Sequence, residues 1–403
     1  MPVLMFARHS SVRFLVIAFL FSTQSFAQLH TRWQQLPNPT SIDLKKCFFL
    51  NSTTGWIAGR EGLILKTTNA GTSWNQQQSG IPTDIIDIFM LDEQRGWALS
   101  FTNWVDTVTW WGATILQTRN GGDAWTHERF QPEGRYFHTI MFLDTLNGWI
   151  GGEFGDLLNT TDGGTTWNPA TVDSTEFGQV SIVNIMFFSE STAFATGGLF
   201  DIAGVVRRTT NGGLRWVEYG VSPEPVYDLH RIDSLNLIGV SGDFEYGVGV
   251  VRSSDAGVHW EYEWLGIFGR PSTLKFRTAN EGWVATEIDP KLLFTSNTGA
   301  TWHEVPSPSG KVIHDLVFVD SATGYAVGDS GTILRYVPAP TAVREQSNNM
   351  PSAIVLMQNY PNPFNASTTI RFRLNEESPL KLQIVNPLGQ SVKTLIFGER
   401  LKA

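Results

Sequence analysis

Residues 160–167 read TTDGGTTW, and a near copy, TTNGGLRW, stands at residues 209–216. The pattern of Thr or Ser, then Asn or Asp, then Gly, then Trp occurs six times, and we call each copy a box. The Asn or Asp and the Trp of the boxes are Asn69 and Trp74, Asn120 and Trp125, Asp162 and Trp167, Asn211 and Trp216, Asp255 and Trp260, and Asn297 and Trp302. Successive box tryptophans are 42 to 51 residues apart, the length of one four-stranded β-propeller blade.

A second motif runs in phase with the boxes and occurs seven times. It is Gly-Trp or a related pair after an apolar strand and a short turn: Gly55-Trp56, Gly96-Trp97, Gly148-Trp149, Ala193-Phe194, Leu237-Ile238, Gly282-Trp283 and Gly324-Tyr325. The seventh unit ends at GTILRY (331–336) without a box, whereas TRWQQLP (31–37) is a Trp strand with no box before it. The sequence therefore predicts an all-β, seven-bladed propeller over residues 28–337, closed by its N-terminal strand.

Each blade is expected to contain four strands of recognisable type. Strand one resembles IIDIFML (85–91), strand two GWIAG (55–59) and strand three GLILKT (62–67), and strand four opens with the box Trp. The box is then the hairpin between strands three and four. Its Asn or Asp can accept a hydrogen bond from backbone two residues on, and Gly at the fifth position accommodates a positive φ.

Calcium binding is the alternative function for the boxes. Convergent carboxylates would suit calcium, but only Asp162 and Asp255 are acids at the third position. A structural turn is favoured, and the sequence predicts no metal, no cofactor and no catalytic residue. Cys47, the single cysteine, is expected in the core, since it cannot form an internal disulfide and its strand-like surroundings do not favour a nucleophile.

Residues 1–27 are expected to be a signal peptide. Arg8, His9 and Arg13 precede the apolar run FLVIAFLF (14–21), and Ser25-Phe26-Ala27 suits cleavage after Ala27. Removing this segment takes the formal charge from -9 to -11, which disfavours nucleic acid and anionic lipid as partners. No later run approaches the roughly 20 apolar residues of a membrane-spanning helix, so none is expected in the mature chain.

Loops of irregular length are expected on one face of the propeller, where strand two joins strand three and strand four joins the next blade. Nine aromatic residues in these loops are candidates for ligand binding: Trp104, Trp110, Trp111, Tyr136, Phe200, Phe244, Tyr246, Trp264 and Phe268. Phe137 is expected beside them, in the loop that carries Tyr136. They could form a platform for a glycan or a peptide, or they could cover loop backbone.

Seven polar residues occupy equivalent positions near the start of the innermost strands. They are Lys46, Asp87, Thr139, Asn184, Asp228, Thr273 and Asp315. They are expected to ring the mouth of the central channel, where they would bond the backbone of adjacent blades and channel water. A ligand-binding channel is the alternative.

These repeats, from about residue 31 to 337, resemble the photosystem II stability/assembly factor-like propellers. The resemblance implies a non-enzymatic protein that binds a client during assembly. The arginine-rich patch through which that family binds has no counterpart in this acidic chain, so the resemblance does not extend to the client.

Similar boxes recur in sialidases and some glucan hydrolases, and the alternative function is a secreted carbohydrate-active enzyme on the same scaffold. Such an enzyme would need paired acids on the irregular face. The acids there are Asp106, Glu153, Asp156, Asp201, Glu245 and Asp289, and the sequence does not pair them.

Residues 338–352 are expected to be a linker. Residues 353–403, which include LMQNYPNPFNASTTIRFRL (356–374) and LKLQIVNPLGQSVKTL (380–395), resemble part of the C-terminal sorting domain of the type IX secretion system, a small β-sandwich. The resemblance implies the secretion machinery as a partner. It also implies release or surface attachment if the sorting domain is complete in the native protein, and periplasmic retention if the chain ends at Ala403. The sequence thus predicts an exported binding or assembly scaffold for an unknown protein or glycan at the cell envelope.

Overall fold

The computed structural model describes residues 32–102, 112–173, 177 and 179–338, and the backbone of 2–9, 12–19, 354–356, 360–365, 367–369, 372–374, 378–385 and 391–401. The chain divides into two compact units. Leu29–Pro338 form the first, and Met1–Gln28 with Ala339–Ala403 form the second. No helix among the described residues is long and apolar enough to cross a membrane.

The first unit is a seven-bladed β-propeller, as predicted, and the blades follow one another along the chain. Blades one to three contain the strands Leu44–Phe49, Gly55–Gly59, Ile64–Thr67 and Asn75–Gln77; Ile85–Met90, Gly96–Thr102, Gly112–Thr118 and Thr126–Arg129; and Phe137–Phe142, Gly148–Gly152, Leu157–Thr160 and Asn168–Pro169. Blades four to six contain Ser181–Phe187, Ala193–Leu199, Ala203–Thr209 and Arg215–Ser222; Val226–Arg231, Leu237–Asp243, Gly247–Ser253 and Glu261–Ile267; and Arg270–Phe276, Gly282–Glu287, Lys291–Thr295 and His303–Pro306.

Blade seven contains Ile313–Phe318, Gly324–Gly328, Thr332–Tyr336 and, from the other end of the unit, Trp33–Gln35. Trp33 pairs antiparallel with Tyr336, which confirms closure by the N-terminal strand. The Trp33 ring is buried and packs edge-on against Trp283 of blade six, with ring centroids 5.7 Å apart. Arg32 and Tyr336 both donate hydrogen bonds to the Glu281 carboxylate of blade six. The closing strand therefore ties blade seven to blade six.

The Gly-Trp motif has a packing reason. Its glycine lies directly opposite the last residue of strand one, as in Phe49 opposite Gly55 and Phe142 opposite Gly148. A Cβ added to Gly55 would stand 2.3 Å from the Phe49 ring, and one added to Gly148 would stand 2.6 Å from Phe142. Glycine is needed at these two positions because the Phe49 and Phe142 rings fill the space that a Cβ would take.

Every first strand carries a β-bulge just before its polar position. The interruptions in register fall between Leu44 and Lys46, Ile85 and Asp87, Phe137 and Thr139, Ile182 and Asn184, Val226 and Asp228, Pro271 and Thr273, and Ile313 and Asp315. A bulge re-aims the side chain that follows it. All seven blades therefore present their polar position in the same way.

Short additions complete the propeller. Thr171–Asp173 pairs parallel with the outer strand of blade four, which makes that sheet five-stranded. Single 3₁₀ turns, Arg60–Gly62, Glu153–Gly155 and Asp329–Gly331, join strands two and three of blades one, three and seven. Cys47 is buried in the core.

The described strands of the second unit form three small sheets. Pro2–His9 and Val12–Phe19 form a hairpin that joins Ser378–Val385 and Ser391–Leu401. Ile354–Leu356 pairs with Phe372–Leu374, and Tyr360–Asn365 pairs with Ser367–Thr369. Strands therefore occur where STTIRFRL and LKLQIVN are expected to form them. The expected cleavage site at Ala27 lies outside the described residues, as does most of the expected linker. The signal peptide and the sorting domain therefore stay predictions.

Candidate ligand-binding face

The six boxes share one hydrogen-bonding scheme. In TTDGGTTW, the Thr160 hydroxyl donates to Asp162 Oδ1 (2.8 Å) and accepts the Gly164 N–H (2.9 Å), while Asp162 Oδ1 also accepts the Thr166 N–H (2.8 Å). The other five boxes make the same three bonds. The amide that Asp162 accepts lies four residues on, not two as expected, because two successive residues with positive φ, Gly163 and Gly164, widen the turn.

Through these bonds, the polar side chains of each box bind groups of their own hairpin. Hydrogen bonds from the Thr166 hydroxyl and N–H and from Thr160 lower the pKa of Asp162 to about 2. In four of the boxes the Trp packs edge-on against an aromatic residue near the end of strand one, as Trp167 does on Phe142 and Trp302 on Phe276. Because Asn and Asp make the same backbone bonds, the geometry is that of a turn.

The opposite face is built from the irregular loops. Asp201 N, in the strand two to three loop of blade four, donates to Glu224 Oε2 (3.2 Å), which lies in the loop leading to blade five. Glu61 N contacts Asp84 Oδ1 (3.1 Å) in the same way in blade one. The two kinds of loop therefore lie side by side on one face.

Several predicted aromatic residues meet on blades four and five. The Phe200 and Phe244 ring centroids are 5.8 Å apart, and Trp264 Nε1 donates to the Tyr246 carbonyl (2.7 Å). These four side chains and Phe268, which follows the Trp264 strand, are all exposed. We call the five residues Phe200, Phe244, Tyr246, Trp264 and Phe268 the aromatic face. Trp264 lies within strand four of blade five, not in the inter-blade loop where it was expected.

The other predicted aromatic residues are placed differently. Tyr136 lies against Phe101 of blade two, with ring centroids 5.9 Å apart, and so is not part of the aromatic face. Phe137 is only 1% exposed and belongs to the core, so its expected place on the rim is wrong, because it begins strand one of blade three and faces inward. Trp104, Trp110 and Trp111 lie outside the described residues.

A pocket of about 480 Å³ opens beside the aromatic face. It is lined by Asp201, Ile202, Pro223, Glu224, Tyr246, Tyr262 and Trp264. Asp243 lies next to it, and one carboxylate oxygen from each of Asp201, Glu224 and Asp243 falls within 4.8 Å of the others. Of these acids, only Asp201 was among those considered from the sequence. Glu224 and Asp243 were missed because a contact between neighbouring blades brings them together.

The pocket is acidic and partly desolvated. Glu224 and Asp243 are 3% and 2% exposed. Burial raises the pKa of Glu224, and the nearby carboxylates of Asp243 and Asp201 raise it further. The hydrogen bond from the Asp201 N–H lowers this pKa and so offsets part of the rise. Asp243 Oδ1 accepts the N–H groups of Glu245 and Tyr246, which fixes the loop that carries Tyr246.

The remaining acids considered for catalysis are not brought together. Glu153 contacts His138 (3.5 Å), Asp156 pairs with Arg135 (2.7 Å), and Asp289 lies 3.5 Å from Lys291. Asp106 lies outside the described residues. Among the described members of that set, Asp201 lies in the cluster with Glu224 and Asp243, and the Glu245 carboxylate is near enough to contribute to the raised pKa of Glu224.

The polar positions of the first strands bond successive blades to one another. One carboxylate oxygen of Asp87 accepts the Ile140 N–H (2.8 Å), and Asp315 accepts the Cys47 N–H (3.0 Å) across the ring closure. Asp228 accepts the Leu274 N–H and the Thr273 hydroxyl (both 2.9 Å), and also the Asn184 amide (2.8 Å). Thr139 is buried at the equivalent position.

Lys46 supplies the positive charge of this ring. Its ammonium lies 3.7 Å from Asp315 and 3.9 Å from Asp87. Burial lowers the pKa of Lys46, but the carboxylates of Asp315 and Asp87 outweigh burial, so the pKa is raised. Burial also raises the pKa of Asp87, although Lys46 opposes that rise. The ring thus joins blades through compensated charges.

These features define a class: a ring-closed seven-bladed propeller with Asp-box-type hairpins on one face and an irregular, aromatic and acidic opposite face. The chain is 25% identical over 227 residues, 55% of its length and 65% of the relative, to the photosystem II assembly lipoprotein Ycf48 of Synechococcus sp. (strain CC9902). It is 23% identical over 292 residues, 56% of its length and 70% of the relative, to the chloroplastic photosystem II stability/assembly factor HCF136 of Arabidopsis thaliana. The chain therefore spans just under two thirds of the cyanobacterial relative.

Solved structures share the fold at lower identity. YCF48 bound to D1 peptide has a TM-score of 0.59 and 18% identity, covering 76% of this chain and 97% of that chain. The GH74 xyloglucanase of Xanthomonas campestris has a TM-score of 0.58 and 11% identity, covering 75% of this chain and 53% of that chain. No family model matches the chain.

Proposed function

We propose that this protein is an exported, non-enzymatic scaffold that binds a protein or polymer at the cell envelope through its aromatic face. The observation that carries the proposal is a group of five exposed aromatic side chains on irregular loops of a rigid propeller. The similar proteins named as photosystem II assembly factors, one of them solved with a bound peptide, support binding of a protein.

Affinity capture with the full chain tests the role of the aromatic face. The double variant Phe244→Ser, Trp264→Ser is expected to lose the partner that the wild-type chain enriches from the native envelope. The matched control is Leu146→Ser, Leu214→Ser, which removes two exposed apolar side chains from the box face. Equal capture by all three chains would refute the proposal.

We also propose delivery by the type IX secretion machinery through residues 353–403. The supporting observation is the resemblance of 356–374 and 380–395 to its sorting domain. Fractionation of cells that express the chain with and without residues 353–403 tests this proposal, and only the chain that keeps them is expected at the surface or in the medium. Recovery of both chains from the same fraction would refute delivery through this segment.

A carbohydrate-active enzyme is the second candidate, because one observation favours it. Asp201, Glu224 and Asp243 meet within 4.8 Å beside an exposed Trp264, and a retaining glycosidase needs two carboxylates roughly 5 Å apart. Incubation of the chain with a glycan panel, followed by product analysis, decides between the candidates. Turnover that Glu224→Gln abolishes would favour the enzyme.

A further inference from the structure

Among the described residues, the pocket beside the aromatic face is unlike the other buried acidic groups. Elsewhere a cation accompanies the buried carboxylate: Lys46 lies beside Asp87 and Asp315, Lys275 contacts Asp228, and Arg207 pairs with Glu218. Buried acids are generally paired in this way, because an unpaired charge in the interior is costly.

Among the described residues, Asp201, Glu224 and Asp243 have no such partner. Within the part of the chain that the structure describes, no Lys, Arg or His forms an ion pair with any of the three. Glu224 and Asp243 are nevertheless almost fully buried. The pocket therefore concentrates negative potential behind walls of low polarity, a setting in which an incoming cation is attracted more strongly than at an open surface.

The walls favour a particular kind of cation. Tyr246 and Trp264, residues that are 55% and 63% exposed, line the pocket together with Tyr262. Aromatic faces attract cations, and a planar guanidinium also stacks on them, which a compact ammonium cannot do. The 480 Å³ volume accommodates a long side chain together with the neighbouring backbone of an extended segment.

We propose that this pocket receives an arginine side chain from the protein partner, an inference that rests on the proposed function. Its stem would lie along Trp264 and Tyr246, and its guanidinium would face Asp201, Glu224 and Asp243. The charge of the pocket is complementary to a basic segment, so the partner would present arginine flanked by apolar residues to the aromatic face.

Fluorescence anisotropy with the full chain tests this assignment. The probe is a labelled, end-capped peptide, Ala-Phe-Arg-Phe-Ala, compared with versions carrying lysine or citrulline in place of arginine. Citrulline keeps the shape and removes the charge. We expect the arginine peptide to bind about tenfold or more tightly than the citrulline peptide, with lysine between them, and its affinity to fall with added salt.

Two variants separate charge from fold. Glu224→Gln is expected to weaken binding of the arginine peptide about tenfold and to leave citrulline binding unchanged. Asp201→Asn gives an independent measurement, since Asp201 is exposed and Asn tolerates its positive φ of 60°. Glu190→Gln, which removes the same charge from the exposed turn of the opposite face, is expected to have no effect.

The outcomes distinguish this inference from the proposed function. If the arginine and citrulline peptides bind equally and Trp264→Ala weakens both, the aromatic face binds peptide but the pocket does not select a cation. If no peptide binds, or if Trp264→Ala changes nothing, the assignment of arginine is wrong, while the envelope capture experiment still decides the proposed function. Calcium that raises the melting temperature of the wild type but not of Glu224→Gln, without peptide binding, would instead make the pocket a metal site.

Discussion

At the scale of single residues, the box depends on its first hydroxyl as well as on its Asn or Asp. Thr209 is buried, donates to Asn211 Oδ1 (2.9 Å) and accepts the Gly213 N–H (3.1 Å). Thr209→Val keeps the shape but leaves the Gly213 N–H without this acceptor. We expect a loss of about 2 kcal/mol in the free energy of unfolding, measured by urea denaturation.

Thr209→Ser provides the matched control, because it keeps the hydroxyl and because Ser253 performs the same role in the fifth box. It is expected to stay within about 0.5 kcal/mol of the wild type. A valine variant as stable as the serine variant would show that this hydroxyl does not hold the turn.

The carboxylate of the third box gives a prediction about pH. Because its pKa is about 2 in the folded chain and about 3.9 in an unfolded one, Asp162 stabilises the fold above about pH 4, and this contribution is lost as the pH falls through 2. Asp162→Asn keeps the acceptor but does not titrate. Thermal melts between pH 5 and pH 2 should show the wild type losing stability relative to the variant. Parallel melting curves for the two chains would contradict the assigned pKa.

At the scale of elements, the closing strand is short but completes the ring. Trp33 is buried against Trp283, Phe318 and Tyr336. Trp33→Ala should therefore cost about 3–5 kcal/mol, the usual cost of removing a large core aromatic residue, and should lower the melting temperature. Trp264→Ala, which removes an exposed Trp, should stay within about 0.5 kcal/mol of the wild type. Similar melting temperatures for the two variants would mean that the N-terminal strand does not close the ring.

The strands and their order could be predicted because each depends on local sequence. Gly55 and Trp56 identify strand two, because the Phe49 ring packs across Gly55. Closure of the ring by Trp33 could be predicted because the seventh unit lacks a box. The pocket could not be predicted, since Asp201 and Glu224 are 23 residues apart and Asp243 of blade five joins them only when that blade packs on blade four. The placement of Tyr136 away from Trp264 likewise depends on which blades are neighbours.

At the scale of the whole molecule, stability depends on bonds that run around the ring as well as on the blades themselves. Asp315 bonds blade seven to blade one, and Asp87 bonds blade two to blade three. Lys46 of blade one lies between these two carboxylates. One ammonium therefore compensates acids that join four blades.

Lys46→Met should weaken the whole ring, because it leaves two buried carboxylates without their cation. The full loss for a buried pair is about 3–5 kcal/mol, but the Lys46 side chain is 35% exposed and solvent screens part of the interaction, so we expect about 1–3 kcal/mol at neutral pH. Without Lys46 the pKa of Asp87 would rise further above its unfolded value. The penalty would therefore be greatest above that raised pKa and would shrink as the pH falls and the carboxyl groups protonate. Urea denaturation of both chains from pH 7 to pH 4 measures this convergence, and a penalty that does not change with pH would mean that Lys46 acts through packing alone.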